Sequence, residues 1–332
     1  MTKTVHEIAK MAGVSETSVR FVINGQHKKY RISEKTRLKI QNIIDEYGYT
    51  INQTARSLKL QKTQTLGLVV PRLTNPFFSS FAEKLEHDCR KAGYQLIIAC
   101  SDDDETIEAE VVSNLLSRNV DGLFITAASP ERQRAPEISK NKKPVVFFDR
   151  DFGETSSPIV STDNKAGGRA IGDNLAGVSS ELFFLIADIH LPTVRDRLQG
   201  IKDGLHKKGI QLDDQHIIIQ GKSERSNGYA MMEKVCNALD RSPKGIVSIS
   251  LPVLEGAMGF LRKHFGKIPT DMVIGSFDDH SMLEFCQNRV VSMKQDVTML
   301  SKTSIELMKQ LIAKEKNVQK SNVIQPEISV RL

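Results

Sequence analysis

Beyond residue 65 the apolar positions alternate between two patterns. Short, nearly continuous apolar runs predict strands at 66–71, 94–100, 121–126, 144–149, 181–187, 215–220, 244–250 and 272–277. Between them apolar residues recur every three or four positions, which predicts helices at 76–92, 105–118, 163–176, 192–209, 226–240, 252–265 and 296–314. Strands that are apolar on both faces need cover on both, so the pattern predicts parallel sheets between layers of helix. A division near 160 makes two such lobes, the first taking about 63–160 and 292–320, the second about 161–290 and 321–332. The late apolar stretches Val290–Met293 and Val323–Leu332 supply the returns between them.

The first fifty residues carry only the helical period. Val5, Ile8, Ala9 and Met11–Ala12 are spaced for one helix, broken at Gly13-Val14. Ser15 is a good N-cap, with Glu16 favourable in the first turn, for a second helix that turns Val19, Val22 and Ile23 inward and stops at Asn24-Gly25. A third starts after Ser33 and presents Leu38, Ile40, Ile43 and Ile44 before Gly48. Helix, tight turn and helix make a helix-turn-helix. Its second helix leaves Glu16, Thr17 and Arg20 away from the core, where such motifs reach base edges in the major groove. A small bundle docking to protein is the alternative. Residues 52–59 then read as a short basic helix with Ala55, Leu58 and the stem of Lys59 on one side, too short to be stable alone in water.

Charge separates this head from the rest. Residues 1–62 hold twelve Lys and Arg against five Asp and Glu, while the other 270 hold 34 against 35. A basic head on a near-neutral body points to a polyanionic partner for the head alone. Nucleic acid, an acidic membrane surface and plain solubility all fit the charge by itself. The chain has no run of 18 apolar residues and no signal pattern, so a cytoplasmic protein without a membrane partner is expected. Cys89, Cys100, Cys236 and Cys286 lie far apart with no zinc-like spacing, which predicts buried free thiols and no metal or cofactor.

The order of several motifs goes further. "VHEIAKMAGVSETSVRFVING" and "TRLKIQNIIDEYGYTINQTARSLK" are followed by "LGLVVPRLTNPFF", "RNVDGLFI", "PVVFFDR", "RLQGIKDGL" and "GSFDD". Over essentially the whole chain this resembles the LacI/GalR family of bacterial transcription regulators. "GQHKKYRISEKT", "FFDRD" and "SFDDH" are most similar to its sucrose- and fructose-responsive repressors. The resemblance implies an all-α helix-turn-helix head (1–50), a hinge helix (51–62) and a two-lobe α/β body with parallel sheets (63–332), similar to sugar-binding periplasmic proteins. It further implies a homodimeric repressor of carbohydrate-utilisation genes. Its partners would be double-stranded operator DNA and a small sugar or sugar-phosphate effector, with a fructose-type compound favoured. A sugar-modulated activator or dual regulator is the alternative.

Residue by residue, Thr4, Ser15, Asn24 and Tyr49 match family positions that touch phosphates, while Glu16, Thr17 and Arg20 would read bases. Many relatives read "TVSRV" where this chain has "SVRFV", so Phe21 stands at the common arginine position and Arg20 one residue earlier. The resemblance places Asn52, Ala55 and Arg56 near the minor groove and makes Leu58 a wedge between central base pairs. In the cleft, at the carboxyl ends of strands, Arg197 and Asp278 match the family's effector-binding pair and Asp149 a commonly polar position. Ser250-Leu251 stands where relatives often have Asn-Asp. Arg150 would meet a sugar phosphate or else pair with Asp149 or Asp151, and Phe77 or Phe147 would cover the apolar face of a sugar ring. Arg195 is expected in solvent, and Asp279 as a cap of the following helix.

An enzymatic reading would make Asp149, Asp278, Asp279 and His280 an acid–base or metal cluster in a hydrolase. No GxSxG, HExxH, Walker or GxGxxG motif accompanies them, and such an enzyme leaves the basic head unexplained. No catalytic residue and no metal site are therefore expected. The run "SDDDE" at 101–105 reads as the acidic start of a helix.

Overall fold

The computed structural model describes residues 2–49, 62–135, 143–153, 155–179 and 181–331. It contains two compact units, Met1–Thr63 and Gln64–Leu332. The expected hinge helix, with Asn52, Ala55, Arg56 and Leu58, lies outside the described residues.

In the first unit, α1 (Val5–Ala12), α2 (Glu16–Ile23) and α3 (Glu34–Tyr47) each begin at a hydroxyl cap. The Thr4 side chain accepts from the Glu7 N–H, and the Glu7 carboxylate accepts from the Thr4 N–H at 2.8 Å, a reciprocal capping box. Ser15 and Ser33 accept from the Ser18 and Thr36 N–H groups, each at 3.2 Å. Gly13 ends α1 at φ +66°, in the left-handed region that suits glycine. Ile8, Ala9, Ala12, Val19, Val22 and Ile40 form the core. Two residues expected inside face outward, Met11 at 42% and Leu38 at 46% exposure. Leu38 is two positions from Ile40, about 200° around a 3.6-residue helix, so the two cannot share one face.

The second unit holds two six-stranded sheets. β1 (Thr65–Val70), β2 (Gln95–Cys100), β3 (Gly122–Ile125), β4 (Val145–Phe148), β5 (Ile159–Thr162) and β11 (Ser321–Ile324) form the first, wholly parallel, in the order β11-β5-β4-β3-β1-β2. β6 (Phe183–Ile186), β7 (Ile217–Ile219), β8 (Gly245–Ser248), β9 (Val273–Phe277), β10 (Val290–Lys294) and β12 (Glu327–Arg331) form the second. Its order is β12-β10-β9-β8-β6-β7, antiparallel only between β10 and β12. Helices α4 (Pro76–Lys91), α5 (Glu105–Ser117), α6 (Pro130–Gln133) and α11 (Val297–Ile312) accompany the first sheet. Helices α7 (Asn164–Leu175), α8 (Pro192–Lys207), α9 (Arg225–Leu239) and α10 (Leu251–Phe265) accompany the second.

Lobe limits differ from those expected at 292 and 321. β10 is one ladder on β9, from Val290 opposite Ile274 to Met293 opposite Phe277, so the second lobe keeps the chain through Lys294. β11 pairs with β5, Ser321 beside Ile159, so residues 321–324 return to the first lobe. β5 was not anticipated: four residues after Ser-Ser-Pro are too short a run to stand out from a loop. The chain therefore crosses between lobes after β5, after β10 and after β11.

One helix contact sets up the region between the lobes. A Cβ on Gly168 of α7 would overlap the Arg197 carbonyl oxygen of α8, and one on Gly200 would overlap the Lys165 carbonyl oxygen. Glycine at both places lets the two backbones touch. That contact fixes α8, and with it Arg197, against the start of α7.

Candidate functional site

On the head, α2 exposes Thr17 and Arg20, with Glu16 half-buried beside them. Arg20 Nη2 donates to Glu16 Oε2 at 3.0 Å, and His6 Nδ1 lies 3.0 Å from Glu16 Oε1. The three residues expected to read bases thus share a face, two of them already ion-paired. Ser15 and Asn24 are exposed at the two ends of α2, while Thr4 is engaged in its capping box. Tyr49 packs on the small core, and a parallel bridge between Lys3 and Tyr49 ties the N-terminal segment to the end of α3. Phe21 is half-buried and stacks on Tyr30, ring centroids 3.6 Å apart at 5°. The aromatic at the common arginine position is therefore committed to packing, and Arg20 carries the exposed charge.

In the body, a cavity of about 230 Å³ opens where the carboxyl ends of both sheets converge. This is smaller than the roughly 300–1,000 Å³ of drug-sized ligand pockets, so it suits a compact ligand. Phe77, Asp149, Arg150, Arg197, Ser250 and Asp278 all line it, so the structure brings together six of the residues singled out in the sequence, while Phe147 is not among its lining. Arg197 is buried, donating from Nε to Asn164 Oδ1 at 2.7 Å and from Nη1 to the Ile249 carbonyl at 2.9 Å, with its guanidinium 3.9 Å from the Phe277 ring centre. Asp278 accepts from the Gln295 side-chain amide, which itself accepts from Thr162 Oγ1 at 2.6 Å. Asp149 directly follows β4 at φ +68°, and its Oδ1 is buried without a hydrogen-bond partner among the described residues.

Electrostatics here are a contest between burial and pairing. Burial pushes the carboxyls of Asp149 and Asp278 above the ordinary range, and Arg197 pulls both back down. Burial also lowers the Arg197 guanidinium, while Asp278 and Asp149 raise it. Each charge is thus costly alone and tolerable in company.

Several expectations need correction. Arg150 forms its close ion pair with Asp103, at 2.6 Å, rather than with Asp151; Asp149 stands 3.9 Å from its Nε. Phe147 is buried in the core on the face of the first sheet away from the cavity, while Phe148 stacks on Phe81 and Phe77. Phe77 and Phe78 are the aromatics of the cavity wall. Asp279 pairs with Arg331 at 2.7 Å and accepts from Ser292 at 2.6 Å, and His280 caps the short 3-10 turn that follows. Arg195 is exposed. Of the acidic run, Asp104 caps α5, Asp103 turns to Arg150, and Asp102 lies 3.4 Å from Arg72. Cys89 and Cys236 are buried and Cys100 and Cys286 half-buried, all free.

Sequence reasoning missed Arg72, Asp103, Asp188, Ser223 and Glu224, all of which line the cavity. Asp188 follows β6 as Asp149 follows β4, and accepts from the Ser223 N–H at 2.6 Å; Ser223 Oγ donates to Ser250 Oγ at 2.6 Å. The available signal was the same for both aspartates, a carboxylate directly after an apolar strand. Among the described residues, no helix is long and apolar enough to cross a membrane, and no group of three or more His, Cys, Asp or Glu side chains is placed to hold a metal ion.

Helix-turn-helix head and two-lobe cleft together define a DNA-binding protein with a ligand-binding body. The chain belongs to the LacI family of bacterial regulatory proteins: residues 4–52 match that family and residues 66–316 match a periplasmic binding protein domain. It is 34% identical over 310 residues to the sucrose operon repressor of Klebsiella pneumoniae, covering 93% of this chain and 92% of that one. It is 31% identical over 310 residues to the fructose operon regulatory protein of Vibrio cholerae, covering 92% of each. In fold it is similar to the lac repressor dimer bound to operator and the anti-inducer ONPF, with a TM-score of 0.80 at 19% identity over 100% of this chain and 98% of that one.

Proposed function

We propose that this chain represses carbohydrate-utilisation genes by binding operator DNA as a homodimer, under the control of a small sugar or sugar phosphate held between the body lobes. The observation that carries the sugar reading is buried Arg197, fixed by Asn164 and Ile249 and facing two buried carboxylates, one with an oxygen free to accept. Such a set suits a ligand dense in hydroxyls, each able to donate to a carboxylate and accept from a guanidinium. Phe77 and Phe78 offer apolar cover to a ring face. The names of the two relatives, for sucrose and fructose operons, make fructose-type compounds the first to try. In this reading the cleft binds and does no chemistry.

On the head, Glu16, Thr17 and Arg20 would read bases, Thr4, Ser15, Asn24 and Tyr49 would hold phosphates, and Asn52, Ala55, Arg56 and Leu58 would work in the minor groove. Control requires that the sugar bind two arrangements of the lobes with different affinity. The test is a thermal-shift screen of the full chain against fructose, fructose 1-phosphate, fructose 6-phosphate, sucrose and glucose. At 100 times its dissociation constant a specific ligand stabilises by about 2.7 kcal/mol. A shift with one fructose compound, lost in Arg197→Ala, supports the reading; no shift with any of the five removes the sugar assignment.

A further inference from the structure

We propose that Thr162 is the positioning residue through which the cleft sets the angle between the two body lobes, because the supports of both Arg197 and Asp278 meet on it. The inference rests on the cleft being the sugar site and on its control of DNA binding. Thr162 ends β5, where the chain first leaves one lobe for the other. Its hydroxyl donates to Gln295 Oε1 at 2.6 Å, and the NH2 of the same Gln295 donates to Asp278 Oδ1. Its carbonyl accepts from Asn164 Nδ2 at 3.0 Å, and Asn164 Oδ1 accepts from Arg197 Nε at 2.7 Å. All five residues are buried, and Thr162 lies outside the residues that line the cavity, so it acts through its partners.

Position decides what these bonds do. Gln295 directly follows β10, in the second crossing between the lobes, so the Thr162–Gln295 bond joins two crossings. The third is tied in one residue away: Asp163 N–H donates to the Ile324 carbonyl at 2.9 Å, and Gln325 Nε2 to Asp163 Oδ2 at 3.0 Å. Turning one lobe against the other twists all three segments. A hydrogen bond between side chains keeps its strength only over a narrow range of distance and angle. With its oxygen engaged by Thr162, Gln295 can offer Asp278 only its NH2, the end a carboxylate needs. If Thr162 withdraws, a buried amide oxygen loses its donor and the bond to Asp278 loses its anchor. A sugar that fixes Arg197 and Asp278 therefore favours the lobe angle at which Thr162 meets Gln295.

The experiment uses the full chain, a duplex that this protein selects from a randomised pool, and whichever of the five sugars above stabilises the chain most. Fluorescence anisotropy reads duplex affinity with and without saturating sugar, and titration calorimetry reads sugar affinity. Thr162→Val keeps the shape and removes the hydroxyl. It should bind the sugar within about threefold of wild type, while the effect of the sugar on duplex affinity falls from about fivefold or more to under about twofold. Thr162→Ser returns the donor and should recover the effect. Packing alone predicts the reverse order, since valine keeps the volume and serine loses a methyl group. An undiminished effect in Thr162→Val, a loss that Thr162→Ser fails to recover, or loss of sugar binding in Thr162→Val overturns the proposal. Should Thr162→Val fail to fold, Gln295→Asn decides it: its amide is one methylene too short to reach both partners, so a wild-type effect there overturns the proposal as well. A wild-type chain that binds none of the sugars, or binds one with no change in duplex affinity, removes the control reading and this inference with it, a result visible before any variant is made.

Discussion

Arg72 and Glu224 join the two lobes across the cleft. Arg72 follows β1 in the first lobe, Glu224 is the N-cap residue of α9 in the second, and the guanidinium Nη1 meets the carboxylate Oε1. Both side chains are about one-third exposed, so the pair is a latch of modest strength, worth up to about 1 kcal/mol.

Arg72→Gln should therefore weaken binding of the cleft ligand about two- to fivefold. Glu224→Gln should do the same, and the double variant should lose no more than either single one. Titration calorimetry checks this. Additive losses would mean that the two residues act separately.

Gly168→Ala tests the α7–α8 contact. The new Cβ has only the Arg197 carbonyl to meet, so one backbone must move. Overpacking of this kind costs about 1–3 kcal/mol. The denaturation midpoint should fall accordingly, and ligand affinity should drop because Arg197 rides on α8. An unchanged midpoint would mean that the two helices separate freely.

Glu181 gives a pH dependence. Arg241 donates to its carboxylate from both Nη atoms, at 3.0 and 2.6 Å, and holds its carboxyl down to about 2 from 4.5. The folded protein thus releases this proton more readily than the unfolded chain. The stabilisation is complete above pH 4.5 and is lost as pH falls toward 2. Wild type should exceed Glu181→Gln in denaturant midpoint at pH 7, and the gap should close as acid is added below 4.5. A gap that stays constant with pH would show that the carboxylate charge is not the source.

How much of this was legible in the sequence depended on parity and on distance along the chain. Buried parallel strands announce themselves as apolar runs, so most of β1–β10 and their helices could be placed from pattern alone. Which of two adjacent residues faces the cleft could not. Phe147 and Phe148 are equally apolar, and a strand apolar on both sides gives no parity signal; only the packed sheet sends Phe148 toward Phe77 and Phe147 away. Asp149, Arg150, Arg197 and Asp278 were legible as polar residues at strand ends or in a matched motif. The pairing of Arg150 with Asp103 was not, because 46 intervening residues fold back to make it. Arg72 and Glu224 are 152 positions apart, and nothing in either local sequence signals the other.

Leu58→Ala addresses the proposed wedge, which lies outside the described residues. Losing an apolar wedge should weaken binding to the selected duplex at least tenfold, since unstacking and bending bring a few kcal/mol into play. The melting temperature of the body should not change. Equal affinity for the duplex would remove Leu58 from the mechanism.

The most direct measurement is fluorescence anisotropy of the selected duplex with the full chain, with and without the fructose compound that stabilises it, in wild type and Arg197→Ala. The account predicts that the compound changes wild-type operator affinity at least fivefold, a coupling of about 1 kcal/mol or more. Arg197→Ala should bind the duplex normally and ignore the compound. A compound that stabilises the body yet leaves wild-type affinity for the duplex unchanged would contradict the account, because the cleft and the head would then be uncoupled.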